Sequence, residues 1–131
     1  MGERVAWIGT GIMGAPMARN AAAAGLDVTA WNRTADKAAP LAEHGVRVAA
    51  SAADAARGAT LLVTMLADAD AVAAALDGGA TLDLLDDGAV WLQMSTVGVE
   101  GCARLASLAA SHGVGFVDAP VSGHLAAGGV G

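Results

Sequence analysis

Tyrosine is absent from this 131-residue chain, which holds one phenylalanine, three tryptophans and one cysteine. With so few large rings, the core is expected to consist of small side chains, alanine above all. The lone thiol, Cys102, closes no internal disulfide, as in a reducing cytoplasm, and on an alanine-rich helix it reads as a small buried hydrophobe. Basic residues are also scarce: seven Lys and Arg against 13 Asp and Glu give a net charge of −6. At a pI near 4.7 the field of the chain repels polyanions, which argues against nucleic acid yet permits a local patch for one small anion. No apolar run reaches the roughly 18 residues of a membrane span, and no signal-peptide pattern precedes the first strand-like run. The location expected from this is cytoplasmic. No His, Cys and carboxylate cluster has metal-ligand spacing, and nothing resembles a Ser-His-Asp arrangement. His44 and His112 fall near the ends of expected helices, where an imidazole suits the dipole.

What the chain has is apolar content, at 55% of residues, with 15% charged and 18 glycines that follow no collagen-like period. That composition fits a well-buried globular domain. Short apolar runs alternate with alanine-rich helical stretches. Val5-Ala6-Trp7-Ile8 predicts a strand, Ile12 to Ala24 a helix with Pro16 in its first turn and Gly25 at its end, and Val28 to Trp31 a second strand. Thr34 is placed to cap a helix to about His44, closed by Gly45, and Val46 to Ala49 predicts a third strand. Ser51 and Asp54 resemble a capping box opening the next helix. Thr60 to Leu66 gives the strongest strand pattern. Asp68 to Leu85 predicts helix broken at Gly78-Gly79, Asp86-Asp87-Gly88 a turn, and Ala89 to Met94 a strand. Val99 to His112 is helical, and Val114 to Val117 returns to a strand. Such alternation predicts an α/β fold, a Rossmann-type doubly wound parallel sheet of at least six strands in one domain over residues 1–131.

Gly9, Gly11 and Gly14 form a Gly-x-Gly-x-x-Gly string after the first strand, where the first helix opens. By itself the string is weak, since glycines can merely shape such a turn. In a βαβ unit, however, Gly9 permits the tight turn, Gly11 lets a pyrophosphate approach the backbone, and Gly14 lets helix and strand pack closely. Helix-start N–H groups then favour phosphate. At the end of the second strand an NAD site usually carries Asp or Glu for the ribose hydroxyls. Here Trp31-Asn32-Arg33-Thr34 stands instead, with Lys37 one turn on. A guanidinium fork and a hydroxyl there favour the 2′-phosphate of NADP, so NADPH is expected over NADH. A solvated Arg and Lys at a helix start is the plainer alternative.

Gly9-Thr10-Gly11-Ile12-Met13-Gly14 through Asn20, followed by Ala24-Gly25 and Trp31 to Thr34, resembles the β-hydroxyacid dehydrogenases. That group includes 3-hydroxyisobutyrate dehydrogenase and glyoxylate/succinic semialdehyde reductases, has imine reductases as relatives, and shares the 6-phosphogluconate dehydrogenase type of nucleotide-binding domain. Thr64-Met65-Leu66, Ser95 to Gly98 and Asp118 to Gly123 agree with it at three later strand ends. The resemblance implies that Gly9 to Gly14 hold the pyrophosphate while Asn32, Arg33 and Thr34 hold the adenosine end. It puts Met65 and Leu66 along the passage to the nicotinamide ribose and Thr96 at the nicotinamide. Ser122 and Gly123 would touch a small-molecule substrate. Without the family, Met65 and Leu66 fit core packing equally well, and Ser122-Gly123 a simple turn.

Departures from the family pattern are Trp7 for a smaller apolar residue, Thr10 for Leu, His124 for Gly and Gly128 for Ala. His124 either crowds the substrate pocket or is a solvent-exposed loop residue. The resemblance places the general acid lysine on a helix beyond the nucleotide-binding domain, in a helical part that usually builds a homo-oligomer. Lys37, the only lysine, is already placed at the adenosine end. The chain is therefore expected to be a fragment of an NADP-dependent oxidoreductase acting on a small 3-hydroxyacid or semialdehyde. A non-catalytic cofactor-binding module and an inert truncated remnant are the alternatives.

Overall fold

The computed structural model describes residues 3–9, 14–33 and 38–120. Six strands form one sheet in the order β3-β2-β1-β4-β5-β6, with every pairing parallel. They are β1 (Arg4–Ile8), β2 (Asp27–Trp31), β3 (Arg47–Val48), β4 (Leu61–Thr64), β5 (Val90–Gln93) and β6 (Gly115–Asp118). Between them run α1 (Gly14–Ala23), α2 (Ala52–Ala56), α3 (Ala69–Ala75) and α4 (Gly98–Ser111). The expected doubly wound sheet is therefore present. β1 is central, with four consecutive buried residues, Val5 to Ile8, because helices cover both of its faces. The chain winds outward from β1 through β2 and β3, then returns to β4 and winds the other way. That reversal opens a crevice at the carboxyl ends of β1 and β4, the usual ligand position in such sheets.

Successive residues of β1 serve different cores. Ala6 and Ile8 pack with Leu62, Leu76, Trp91 and Leu105, while Val5 and Trp7 pack with Ala18, Val28, Leu41 and Val63. Alanine is frequent among the buried residues, as expected, but the core is not made of small side chains throughout. Trp7 and Trp91 are both buried, and the Trp91 ring meets Phe116 edge-on with centroids 5.0 Å apart. Alanine-lined helices leave width above the sheet, and rings carried on strands fill it.

Two expected α-helical stretches are instead tightened 3₁₀ segments, Ala39–His44 and Asp77–Leu84. Pro40 brings no N–H to the first. In the second, Gly78 and Gly79 have positive φ (64° and 110°) and break the helical path where the sequence predicts a break. α2 is short, and Ser51 caps it by accepting the Asp54 N–H at 3.0 Å. Only half of a capping box forms, because the Asp54 carboxylate pairs with Arg57 at 3.5 Å. Ser51→Ala should therefore cost about 1 kcal/mol, measured as a lower denaturant midpoint with an unchanged m-value. Among the described residues, no helix is long and apolar enough to cross a membrane.

Candidate functional site

The carboxyl ends of β1, β2 and β4 are tied together around Gly9. Its N–H donates to the Trp31 carbonyl at 2.8 Å, and the Met65 N–H donates to the Ile8 carbonyl at 2.9 Å. Gly9 has φ +101°, and a Cβ there would lie 2.2 Å from the Met65 carbonyl oxygen. A Cβ on Gly14 would lie 2.6 Å from the Gly9 carbonyl oxygen. Both positions exclude any side chain, one by backbone conformation and contact, the other because α1 presses onto the end of β1. The first turn of α1 carries no acidic residue, so nothing there opposes an anion at the helix start. Such a cradle fits the pyrophosphate of a dinucleotide. Thr10, Gly11, Ile12 and Met13 lie outside the described residues.

Beside this cradle, Trp31, Arg33, Leu66, Ala67 and Ala71 line a cleft of about 370 Å³. Asn32 follows β2 and is half-buried. Arg33 is exposed and makes no ion pair among the described residues. Thr34 and Lys37 lie outside the described residues. Met65 and Leu66 stand just beyond β4 and are half-buried. The Met65 carbonyl abuts Gly9, while Leu66 shares the cleft of Trp31 and Arg33. Thr96 is brought to a different cleft, of about 500 Å³, lined also by Val99, Cys102, Asp118 and Pro120. Ser122, Gly123, His124 and Gly128 lie outside the described residues.

Between the two clefts is a buried polar network that the sequence pattern did not reveal. The Trp91 indole N–H donates to Thr64 Oγ1 at 2.9 Å, and the Thr64 hydroxyl donates to Gln93 Oε1 at 3.3 Å. Gln93 Oε1 also accepts the Ser95 N–H at 2.7 Å, while Gln93 Nε2 donates to the Ser95 carbonyl at 2.8 Å and to Asp118 Oδ1 at 3.0 Å. Both donors and both lone pairs of this fully buried amide are thus used. Ser95 continues the chain, since its Oγ accepts the Leu66 N–H at 2.8 Å. Gln93 therefore fixes the ends of β4, β5 and β6, and with them the loops carrying Leu66 and Thr96. The signal available in the sequence was one polar residue ending an otherwise apolar strand, Val90-Trp91-Leu92-Gln93.

Cys102 departs from the expected buried hydrophobe. It is half-buried and faces the Thr96 cleft. Burial pushes its thiol up from the ordinary range, and the hydrogen bond and charge of Asp118 raise it further. The thiol form is therefore favoured over the thiolate at neutral pH. Among the described residues, no group of His, Cys, Asp and Glu could hold a metal ion.

Comparison with known proteins agrees with this geometry. Glyoxylate/succinic semialdehyde reductase 1 of Arabidopsis thaliana is 36% identical over 120 residues, covering 91% of this chain and 42% of that protein. The solved 3-hydroxyisobutyrate dehydrogenase of Mycobacterium tuberculosis with L-serine superposes with TM-score 0.86 at 35% identity, over 94% of this chain and 42% of that one. An imine reductase from Myxococcus stipitatus in complex with NADP+ superposes with TM-score 0.78 at 26% identity, over 87% of this chain and 39% of that one. The chain thus spans about two-fifths of the length of these relatives. Residues 4–128 match the family described as the NAD binding domain of 6-phosphogluconate dehydrogenase, and the chain belongs to that family.

Proposed function

We propose that this chain is the NADP(H)-binding part of an oxidoreductase that moves a hydride to or from a small 3-hydroxyacid or semialdehyde. The observation that carries the reading is the side-chain-free cradle of Gly9 and Gly14 at the carboxyl end of the central strand. When bound, the dinucleotide would donate or accept the hydride, and the residues of this chain hold and orient it. Gly9, Thr10, Gly11, Ile12, Met13 and Gly14 take the pyrophosphate. Asn32, Arg33, Thr34 and Lys37 take the adenosine end. Met65 and Leu66 line the passage between the halves, and Thr96 borders the nicotinamide. Ser122 and Gly123 contact the substrate. The proton exchanged with the substrate oxygen is assigned to a lysine of the family type, outside this segment.

NADPH preference rests on Arg33, an exposed guanidinium beside the Trp31 cleft, with no carboxylate at the end of β2. Arg33→Ala should weaken NADPH binding about tenfold or more, roughly 1.4 kcal/mol, and leave NADH within about twofold. Calorimetric titration of the wild-type and Arg33→Ala chains with both cofactors reads this directly. An equal loss for the two cofactors, or none for either, would contradict the 2′-phosphate assignment.

A further inference from the structure

Three of the seven basic residues gather at the end of the sheet opposite the glycine cradle. Arg4 opens β1, Asp27 opens β2 and Arg47 opens β3. The parallel register sets Arg4 beside Asp27 and Arg47 beside Thr29, while Arg57 follows α2. Together with Asp54 these residues line a cleft of about 290 Å³. The aspartates orient the guanidinium groups without using them up. Arg47 Nη2 donates to both oxygens of Asp27, at 2.8 and 2.9 Å. Arg57 Nη2 reaches Asp54 Oδ1 at 3.5 Å, and Arg4 Nε stands 4.0 Å from Asp27 Oδ2. A guanidinium presents several N–H donors in a fixed fork, and Nη1 of all three has no acceptor among the described residues.

Gly58 makes room for this arrangement, since Arg4 Nη1 lies 3.0 Å from the point that a Cβ there would occupy. Three arginines against two aspartates leave the lining at +1, in a chain whose net charge is −6. Glu3 is turned to the Thr60 hydroxyl and does not line the cleft. We propose that this cleft binds a phosphate group, carried by free phosphate or by a small phosphorylated metabolite. A planar carboxylate matches one guanidinium fork, whereas a tetrahedral dianion can accept from forks that arrive from several elements at once. Thr29, which also lines the cleft, adds a hydroxyl. All three arginine side chains are more than half exposed, so the site is weak and its affinity falls as salt is added. It stands apart from the cofactor cradle and does not depend on the cofactor reading.

The test is a titration of the chain at low salt with inorganic phosphate and, separately, with glycerol 3-phosphate, followed in ¹H–¹⁵N spectra. The side-chain Nε–H signals of Arg4 and Arg57, each assigned by its loss in Arg4→Gln or Arg57→Gln, should shift saturably. Phosphate should bind about tenfold more weakly to either variant and within about twofold of wild type to Arg19→Gln, which removes an exposed arginine on α1. Tighter binding of glycerol 3-phosphate than of phosphate assigns the site to a metabolite, and equal binding assigns it to the phosphate group alone. Arg4 gives no side-chain hydrogen bond to the described residues, so Arg4→Gln should melt as wild type does. If either variant melts lower, the wild-type signals decide: saturable shifts at Arg4 and Arg57 uphold the site. Unmoved signals at both would overturn it, as would an equal loss in Arg19→Gln or shifts confined to the Gly9 and Gly14 amides. Each of these results leaves the cofactor reading untouched.

Discussion

Gly9→Ala is expected to abolish dinucleotide binding and to destabilise the chain more than any other single methyl addition at a described glycine. Two effects combine at this position. Alanine at φ +101° is strained, a cost of about 1–3 kcal/mol. The new Cβ would also stand 2.2 Å from the Met65 carbonyl oxygen, a backbone atom that cannot swing aside without parting β1 from the loop after β4. Gly25→Ala is the matched control. Gly25 has nearly the same φ, +99°, with nothing within 4 Å of the point its new methyl would occupy. It should show the conformational strain alone and bind cofactor normally. In urea denaturation the difference between the two variants isolates the Met65 contact. Equal stability of the two would mean that the cradle is looser than its geometry indicates.

The second large effect is expected at Gln93. Gln93→Leu conserves much of the volume but strips partners from the Ser95 N–H, the Ser95 carbonyl and Asp118 at once. A loss of about 2–5 kcal/mol follows from leaving several polar groups unmatched, most of them buried. Gln93→Glu separates the hydrogen-bonding role from the volume. Its protonated form can still donate one hydrogen bond, whereas its ionised form faces the Asp118 carboxylate, which now accepts from Gln93 at 3.0 Å. The glutamate would therefore be held protonated in the folded state, above its ordinary value of about 4.3. Stability of this variant should be retained below about pH 4.3 and decline as pH rises from there through the raised folded-state value. The wild-type amide has no such dependence at this position. Denaturation midpoints measured across pH, variant against wild type, give the answer, and a pH-independent difference would contradict the arrangement.

These two sites also mark where the sequence was legible. The fold could be read because its determinants are local. Apolar runs of strand length, helix-forming alanines and turn glycines such as Gly25, Gly45 and Gly113 each act within a few residues. The Gly9 and Gly14 positions were legible for the same reason, since their spacing and place between strand and helix carry the meaning. Gln93 was not. Its partners Thr64 and Asp118 lie 29 and 25 residues away, and they meet only through the parallel register of β4, β5 and β6. The buried tryptophans illustrate a related gap. Composition shows few rings, but only the packing shows that Trp7 and Trp91 fill the width left by alanine-lined helices. Cys102 was misjudged because its half-exposed position is set by the cleft its helix forms with Asp118 and Pro120, beyond the helix on which the cysteine sits.

The central claim is that this chain holds a dinucleotide, and titration of the purified protein with NADPH and NADH tests it most directly. Trp31 lines the cleft beside Arg33, so its fluorescence reports occupancy. The account predicts saturable quenching by both cofactors, with NADPH tighter by about tenfold. A chain that is folded by circular dichroism yet shows no saturable response to either cofactor would contradict it.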